Sequence, residues 1–307
     1  MRYTLGMVTK KSEHYRYCGR TFTPEDIERI RQLIKSNPEM HRAGLSRTVC
    51  DLFDWRRPDG GLKDMSCRVA MLRMHRDELI VLPAPRRADV NKRRRLRVTR
   101  ASDPEFPVST PAGQLGKLDF RVVTTGRPSS LWNELIGRYH YLGYNPLPGA
   151  QMRFLVFGRS QLLAALGFGA SAWKVASRDR WIGWSHEERT SNLHFIVNNA
   201  RFLIMPWVTS KNLASRILGG IARELPGLWK KRYGYKPVLL ETFVEQERFR
   251  GTCYRAANWI HVGQTQGRGK LDRNHENALP VKDVFLFPLQ RDFRRHLRSS
   301  PDTREET

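Results

Sequence analysis

The stretch from Asn198 to Lys270 constrains the chain most, because its apolar spacing changes in an ordered way. Phe202-Leu203-Ile204-Met205, closed by Pro206, is a short apolar run of the kind that forms a strand buried on both faces. From Lys211 the spacing turns helical, with Leu213, Ile217, Ile221 and Leu225 on one face, and Pro226-Gly227 is expected to stop that helix. Pro237 opens a second buried strand, Val238-Leu239-Leu240, which puts Glu241 at its C-terminal end. A short helix over Gly251–Ala257 and a strand, Trp259-Ile260-His261-Val262, follow; the strand runs into the glycine-rich loop Gly263–Lys270. Strand, helix, strand, helix, strand in this order is an α/β unit.

Upstream, the pattern is helical. Thr23-Pro24-Glu25-Asp26 opens a helix, with Thr as cap, Pro at the first position and acids in the first turn. Ile27, Ile30 and Ile34 form its apolar stripe until Asn37-Pro38. A second helix over Leu45–Trp55 turns Leu45, Val49, Leu52 and Phe53 inward, and Arg57-Pro58-Asp59-Gly60-Gly61 is a turn. A third, over Leu62–Glu78, turns Leu62, Met65, Val69 and Leu72 inward and leaves Lys63, Ser66, Arg68 and Arg73 outside. Leu79-Ile80-Val81-Leu82 has strand character. Three short helices and a strand suggest a winged helix whose third helix would carry Lys63 and Arg68 to a DNA groove. A plain helical packing module with a charged exterior satisfies the same pattern.

The chain therefore reads as α/β (α+β): a winged-helix-like helical domain over 1–85, a basic linker over 86–117, and a mixed-sheet domain over 118–307. Within the last, Leu131, Leu135, Ile136 and Tyr139 have helical spacing. Phe154–Phe157 and Leu162–Phe168 flank Gly158-Arg159-Ser160-Gln161 as a hairpin. Trp173–Thr190 has no steady period and reads as a loop over a cleft. Val284–Phe287 is one more strand, and Arg291–Arg298 a basic tail.

Lys and Arg number 54 against 30 Asp and Glu, a net charge of +24. Such an excess favours a polyanionic partner, nucleic acid first and DNA among them. It is densest at Lys92-Arg93-Arg94-Arg95, a run without apolar period, where Arg93, Arg94 and Arg95 would contact phosphates without reading sequence. The four cysteines, Cys18, Cys50, Cys67 and Cys253, include no Cys-x-x-Cys pair, so no compact zinc motif and no metal is expected. Free thiols suit a reducing cytoplasm. No apolar run approaches the roughly 18 residues of a membrane span, and the first residues lack the apolar core of a signal peptide.

Glu241, at the end of a buried strand, stands where open α/β sheets place their ligands, and partial burial would tune it as a general base. The bland alternative is a structural acid paired with Arg201 or Arg255. Tyr254 is a candidate general acid, or a plain helix–sheet contact. His140, between Tyr139 and Tyr141, is a candidate catalytic group or a stacking surface for a nucleobase, against an ordinary packing histidine. Asn198 and Asn199 precede a strand and are candidate binding groups, with turn formation as the alternative; Arg201, and Thr252 and Asn258 around the short helix, are candidates too. Thr265, Arg268 and Lys270 lie on the glycine-rich loop, which suits close backbone approach to phosphate. That loop is not a Walker A motif: Gln264 stands where glycine is required and Leu271 where a hydroxyl is. His-Glu-x-x-His, Gly-x-Ser-x-Gly and Gly-x-Gly-x-x-Gly are absent from the sequence. Glu241 and Asp283 on neighbouring strands would make a thin metal-dependent nuclease site.

The order of elements from Asn198, with Tyr254 and Asn258-Trp259 in place, resembles the second half of the GCN5-related acetyltransferase fold. That resemblance implies an acetyltransferase-like α/β domain and a group-transferase alternative acting on nucleic acid. The fold's pyrophosphate loop carries glycines at the helix start, whereas Thr209-Ser210-Lys211-Asn212-Leu213-Ala214 has none. Tight coenzyme A binding is therefore not expected, and the sequence names no other cofactor.

Four motifs in order carry a closer resemblance: Tyr139-His140-Tyr141-Leu142-Gly143, Asn198-Asn199-x-Arg201-Phe202-Leu203, Leu240-Glu241-Thr242-Phe243 and Gly251-Thr252-x-Tyr254-x-Ala256-x-Asn258-Trp259. Together they are similar to the DruA family, found in Druantia anti-phage systems and also among proteins labelled as transposases. The resemblance implies a setting, phage defence or mobile DNA, with other defence proteins as partners. It implies no reaction.

Overall fold

The computed structural model describes residues 14–57, 60–85, 97–147, 149–267 and 279–299. Its contacts divide the chain into two units, Met1–Arg93 and Arg94–Thr307.

The first unit starts with a hairpin, β1 (Tyr15–Tyr17) and β2 (Arg20–Phe22), turning through Cys18 and Gly19, both at positive φ. Three helices follow: α1 (Pro24–Ser36), α2 (Arg42–Leu52) and α3 (Asp64–Arg76). The Thr23 cap works as expected. Its hydroxyl accepts from the Asp26 N–H at 3.2 Å, and the Asp26 carboxylate accepts from the Thr23 N–H at 3.1 Å. Phe22, Ile30, Leu45, Val49, Met71 and Met74 fill the core.

Three expectations fail in this unit, one of them at Leu52 of α2, which was expected inward and is 36% exposed. The strand expected at Leu79–Leu82 does not form; the segment is held by the helix end, with Ile80 and Leu82 buried and His75 Nδ1 3.1 Å from the Ile80 carbonyl. The inward face of α3 is also rotated. Cys67, Ala70, Met71 and Met74 are buried, while Met65 and Val69 are 60% and 41% exposed. Small and sulfur-bearing side chains take the close helix contact with α2, which a count of branched apolar residues does not anticipate.

The second unit is built on one seven-stranded sheet in the order β3-β4-β5-β6-β7-β9-β8. The chain runs β3 (Asp119–Val122), α4 (Arg127–Tyr139), β4 (Met152–Gly158), β5 (Gln161–Ala170), α5 (Ala176–Ile182), α6 (His186–Asn192) and β6 (Ile196–Ile204). It continues as α7 (Leu213–Tyr233), β7 (Leu239–Glu245), α8 (Thr252–Ala256), β8 (Ile260–Gln264), β9 (Lys282–Pro288) and α9 (Phe293–Arg298). All neighbours are antiparallel except β6 and β7. Eight consecutive residues of β5 are buried, so the sheet is covered on both faces.

Of the segment 86–117 expected as a linker, residues 97–117 belong to this unit, and 86–96 lie outside the described residues, Arg93, Arg94 and Arg95 among them. Val108, Ala112 and Leu115 are core residues. Val108 pairs with the loop before α7: its N–H donates to Trp207 O at 2.8 Å, and Thr209 N–H donates to Val108 O at 2.9 Å. Arg216 on α7 donates to the Ala112 and Gly116 carbonyls.

Three further corrections concern the sheet's surroundings. Trp173–Thr190 is two helices rather than a loop, and its Val175, Ile182 and Trp184 pack on Leu239, Val284 and Leu286. Residues 293–298 of the basic tail are helix α9, which buries Phe293 and Leu297 against the same cluster. Helix α7 runs through Pro226 and Gly227 and ends at Gly234, whose φ of 83° makes it a left-handed cap. An interior proline costs about 3 kcal/mol, and burial of Leu225 and Trp229 on either side of it offsets that cost.

Candidate functional site: the cleft between diverging strands

β6 and β7 pair over three positions only, Ile196 with Leu239, Val197 with Leu240 and Asn198 with Glu241. Beyond them β6 stays with β5 and β7 with β9, so the two strands part. A shift in the β5–β6 register between Gly167 and Phe168 leaves Ala200 bulged. The gap opens into a cavity of about 430 Å³. Tyr139–Leu142 from the end of α4, Asn199, Phe202 and Ile204 of β6, Thr242 and Val244 of β7, and Phe249–Tyr254 line it.

Its floor is a hydrogen-bonded polar cluster. The Tyr254 hydroxyl donates to Asn199 Oδ1 at 2.9 Å, and Thr242 Oγ1 donates to the Asn199 carbonyl at 3.1 Å. Asn199 Nδ2 donates to the Arg201 carbonyl at 3.2 Å. Burial raises the Tyr254 pKa above that of a free phenol, so the ring stays protonated and donating. His140 accepts the Leu142 N–H on Nδ1 at 3.2 Å, and its ring stacks on Tyr141 with centroids 4.9 Å apart. Burial, then the charge of Arg201, lowers the His140 pKa to about 4, so the ring is neutral at pH 7. At the mouth, Tyr141 and Phe249 meet edge to face at 5.2 Å, and the Arg248 guanidinium lies 5.5 Å from the Tyr141 centroid.

Glu241 stands elsewhere. It is the third of seven residues in β7 rather than the last, because Thr242-Phe243-Val244-Glu245 prolong the strand. Its side chain takes the opposite face from Thr242 and Val244, whose face packs toward Tyr254, so it does not line the cavity. Its partner is neither Arg201 nor Arg255. Arg178 Nη1 donates to Glu241 Oε2 at 2.8 Å with both side chains wholly buried, and Ala172 N–H donates to Oε1 at 2.8 Å. Arg178 also pairs with Asp179 at 2.8 Å, and Arg189 with Asp179 at 3.2 Å.

Asp283 faces Val244 across the ladder and so lies on the other face from Glu241; the two acids do not form a joint site. Asp283 accepts from Gln246 at 2.7 Å and contacts His261 at 3.0 Å. Among the described residues no cluster of three or more His, Cys, Asp or Glu could hold a metal ion.

The remaining candidates are dispersed. Thr252 is exposed on the cavity rim. Asn198 pairs with Glu241 in the ladder, and its buried Oδ1 has no partner. Arg201 is half-buried, donates to the Ala200 carbonyl at 2.7 Å, and leaves Nε unpartnered. Asn258, in the left-handed region, lies apart from the cavity beside Arg216 and Arg223. Thr265 extends the β8–β9 ladder, its hydroxyl accepting from the Lys282 N–H at 3.0 Å. Arg268 and Lys270 lie outside the described residues. In the first unit, burial lowers the Lys63 pKa, and Arg68 approaches Asp64 at 3.6 Å.

The family model for the Druantia protein DruA matches residues 73–279, well over half of the chain. The chain belongs to the DruA family. The match spans the whole cleft, from the end of α4 to α8. Among curated proteins nothing matches the sequence. Solved structures with partial likeness include a spermidine N-acetyltransferase chimera from Vibrio cholerae, 10% identical, covering 56% of this chain and 95% of its own, with a TM-score of 0.36. An acetyltransferase from Bacillus subtilis in complex with CoA is 6% identical, covering 57% and 100%, with a TM-score of 0.36. A polyamine N-acetyltransferase from Drosophila melanogaster is 12% identical, covering 55% and 100%, with a TM-score of 0.34. Overlaps of this quality assign no activity, cofactor or residue role within this DruA-family chain.

Sequence reasoning missed Phe249, Arg250 and Cys253 as cavity residues. Phe249 interrupts a polar run, Gln246-Glu247-Arg248-Phe249-Arg250, and an isolated aromatic among charges is the signal that was available; in the structure it is 48% exposed.

Proposed function

We propose that this chain is the DNA-interacting component of a Druantia-type anti-phage defence system, working in the cytoplasm with other proteins of that system. The observation that carries the proposal is the DruA family match. The charge of +24 is its physical complement, since a duplex presents one negative charge per about 1.7 Å. Three sets of residues divide the work. Lys63 and Arg68 of the helical unit, used in the manner of a winged helix, position α3 on DNA. Arg93, Arg94 and Arg95 hold phosphates without sequence preference. The cleft of the second unit supplies an aromatic wall beside Arg250, a binding surface rather than an assembled set of reacting groups. No helix of the described residues is long and apolar enough to cross a membrane.

The same DNA-binding parts would serve a mobile-element protein, but among the described residues Glu241 and Asp283, the acids a metal-dependent nuclease would use, face opposite ways. The test is equilibrium binding of the intact chain to fluorescein-labelled duplex and single-stranded DNA at low salt. Sub-micromolar affinity is expected. Absence of binding to both overturns the proposal.

A further inference from the structure

The cleft has features that generic phosphate binding does not require. It is a half-open, largely aromatic and apolar cleft with a hydrogen-bonded polar floor, and its volume of about 430 Å³ falls within the roughly 300–1,000 Å³ of small-molecule sites. Tyr141 and Phe249 stand at its mouth 38% and 48% exposed, large flat surfaces left in water. Asn199 and Thr242 lie inside with groups able to meet a polar ring edge.

The charges around the mouth narrow the choice of occupant. Arg248 is neutralised by Glu245 at 2.8 Å. Arg250 lines the cavity and forms no ion pair among the described residues, and Arg201 has no carboxylate partner there either. Its charge is felt inside, since it helps to keep His140 neutral. A cationic ligand, such as an amine, would meet the same positive field. A flat, neutral, hydrogen-bonding ring attached to a phosphate meets aromatic walls, a polar floor and cations at the rim in the places its own chemistry needs them.

We propose that the cleft between the diverging ends of β6 and β7 receives a single nucleobase unstacked from bound DNA. This rests on the DNA-binding reading above and adds where and how one base is held. Tyr141 and Phe249 stack on the base as it enters, Asn199 and Thr242 meet its edge, and Arg250 holds the flanking phosphate. Extruding a base from a duplex costs a few kcal/mol and least at a mismatch, so the site favours DNA that is already locally unpaired.

The test compares the intact chain on three otherwise identical DNA duplexes, followed by fluorescence anisotropy: fully paired, with one central mismatch, and with two abasic nucleotides facing each other at the centre. The mismatched duplex is expected to bind about tenfold or more tighter than the paired one. The abasic duplex, which offers no base at that position, is expected to gain less. In Phe249→Ala and Tyr141→Ala, both at exposed positions and checked for folding by circular dichroism, the mismatch preference should fall toward unity. Equal affinity for paired and mismatched duplexes overturns the base site while leaving DNA binding intact. Absence of binding to all three overturns the reading beneath it. A mismatch preference retained by both folded variants places the base elsewhere and overturns the assignment to this cleft.

Discussion

Arg178 and Glu241 form an ion pair at 2.8 Å in which neither side chain retains any exposure to solvent. The pair ties helix α5 to the middle of strand β7, with the Ala172 N–H and carbonyl completing the hydrogen bonds on each side. Removing one partner of such a pair strands a buried charge and costs about 3–5 kcal/mol. Glu241→Ala and Arg178→Ala are each expected to lower the stability of the second unit by that order, measured as the shift in urea unfolding followed by tryptophan fluorescence. Glu241→Gln should cost less, because the amide oxygen still accepts from Ala172. Full stability with complete loss of function in Glu241→Gln would contradict the structural role and restore the acid as a reacting group.

Coenzyme A binding is expected to be weak or absent. The loop before α7 has no glycine, and three of its backbone donors are already engaged: Val208 N–H with Met205 O, Thr209 N–H with Val108 O, and Leu213 N–H with Ser210 O. A phosphate cradle needs such groups free. Calorimetry with acetyl-coenzyme A should therefore show no saturable heat in the low-micromolar range, and a clear low-micromolar isotherm would contradict this.

His140 makes stability depend on pH in a defined direction. Its pKa is lowered from 6.5 to about 4 in the folded chain. Above pH 6.5 the ring is neutral whether folded or not. Between pH 6.5 and 4 the unfolded chain takes up a proton that the folded chain refuses, so stability falls as pH falls through that window and then levels off. His140→Asn should flatten this part of the stability–pH curve, read from urea midpoints between pH 7 and 4. Parallel curves for the two proteins would show that His140 does not titrate as described.

The strands of the sheet other than β3, and the helix around Ile217, were legible from their apolar runs and spacing; β3, Asp-Phe-Arg-Val with no buried position, was not. The β4–β5 hairpin was also legible from Gly158-Arg159-Ser160-Gln161, where Arg159 and Ser160 take the positive φ of a tight turn. Trp173–Thr190 was not, since its inward positions include Arg178 and Arg189, and buried charge erases the apolar stripe on which a helix is recognised. For the same reason the partner of Glu241 was sought in Arg201 or Arg255 rather than in Arg178 on helix α5. Helix α7 was cut short at Pro226 by a local rule that tertiary burial of Leu225 and Trp229 overrides. As for the cleft, His140, Asn199, Thr252 and Tyr254 stood out by residue type. Their meeting place depends on β6 and β7 pairing over only three positions, which no local pattern encodes.

The central claim is that this chain engages DNA through its excess positive charge. It is tested most directly by the slope of log Kd against log salt concentration for the intact chain on a DNA duplex, beside a variant with Arg93, Arg94 and Arg95 replaced by alanine. Each phosphate contact contributes about 0.9 to that slope. The account predicts a steep slope for the native chain and one flatter by roughly two to three in the variant. An affinity independent of salt, or no binding at low salt, would contradict it.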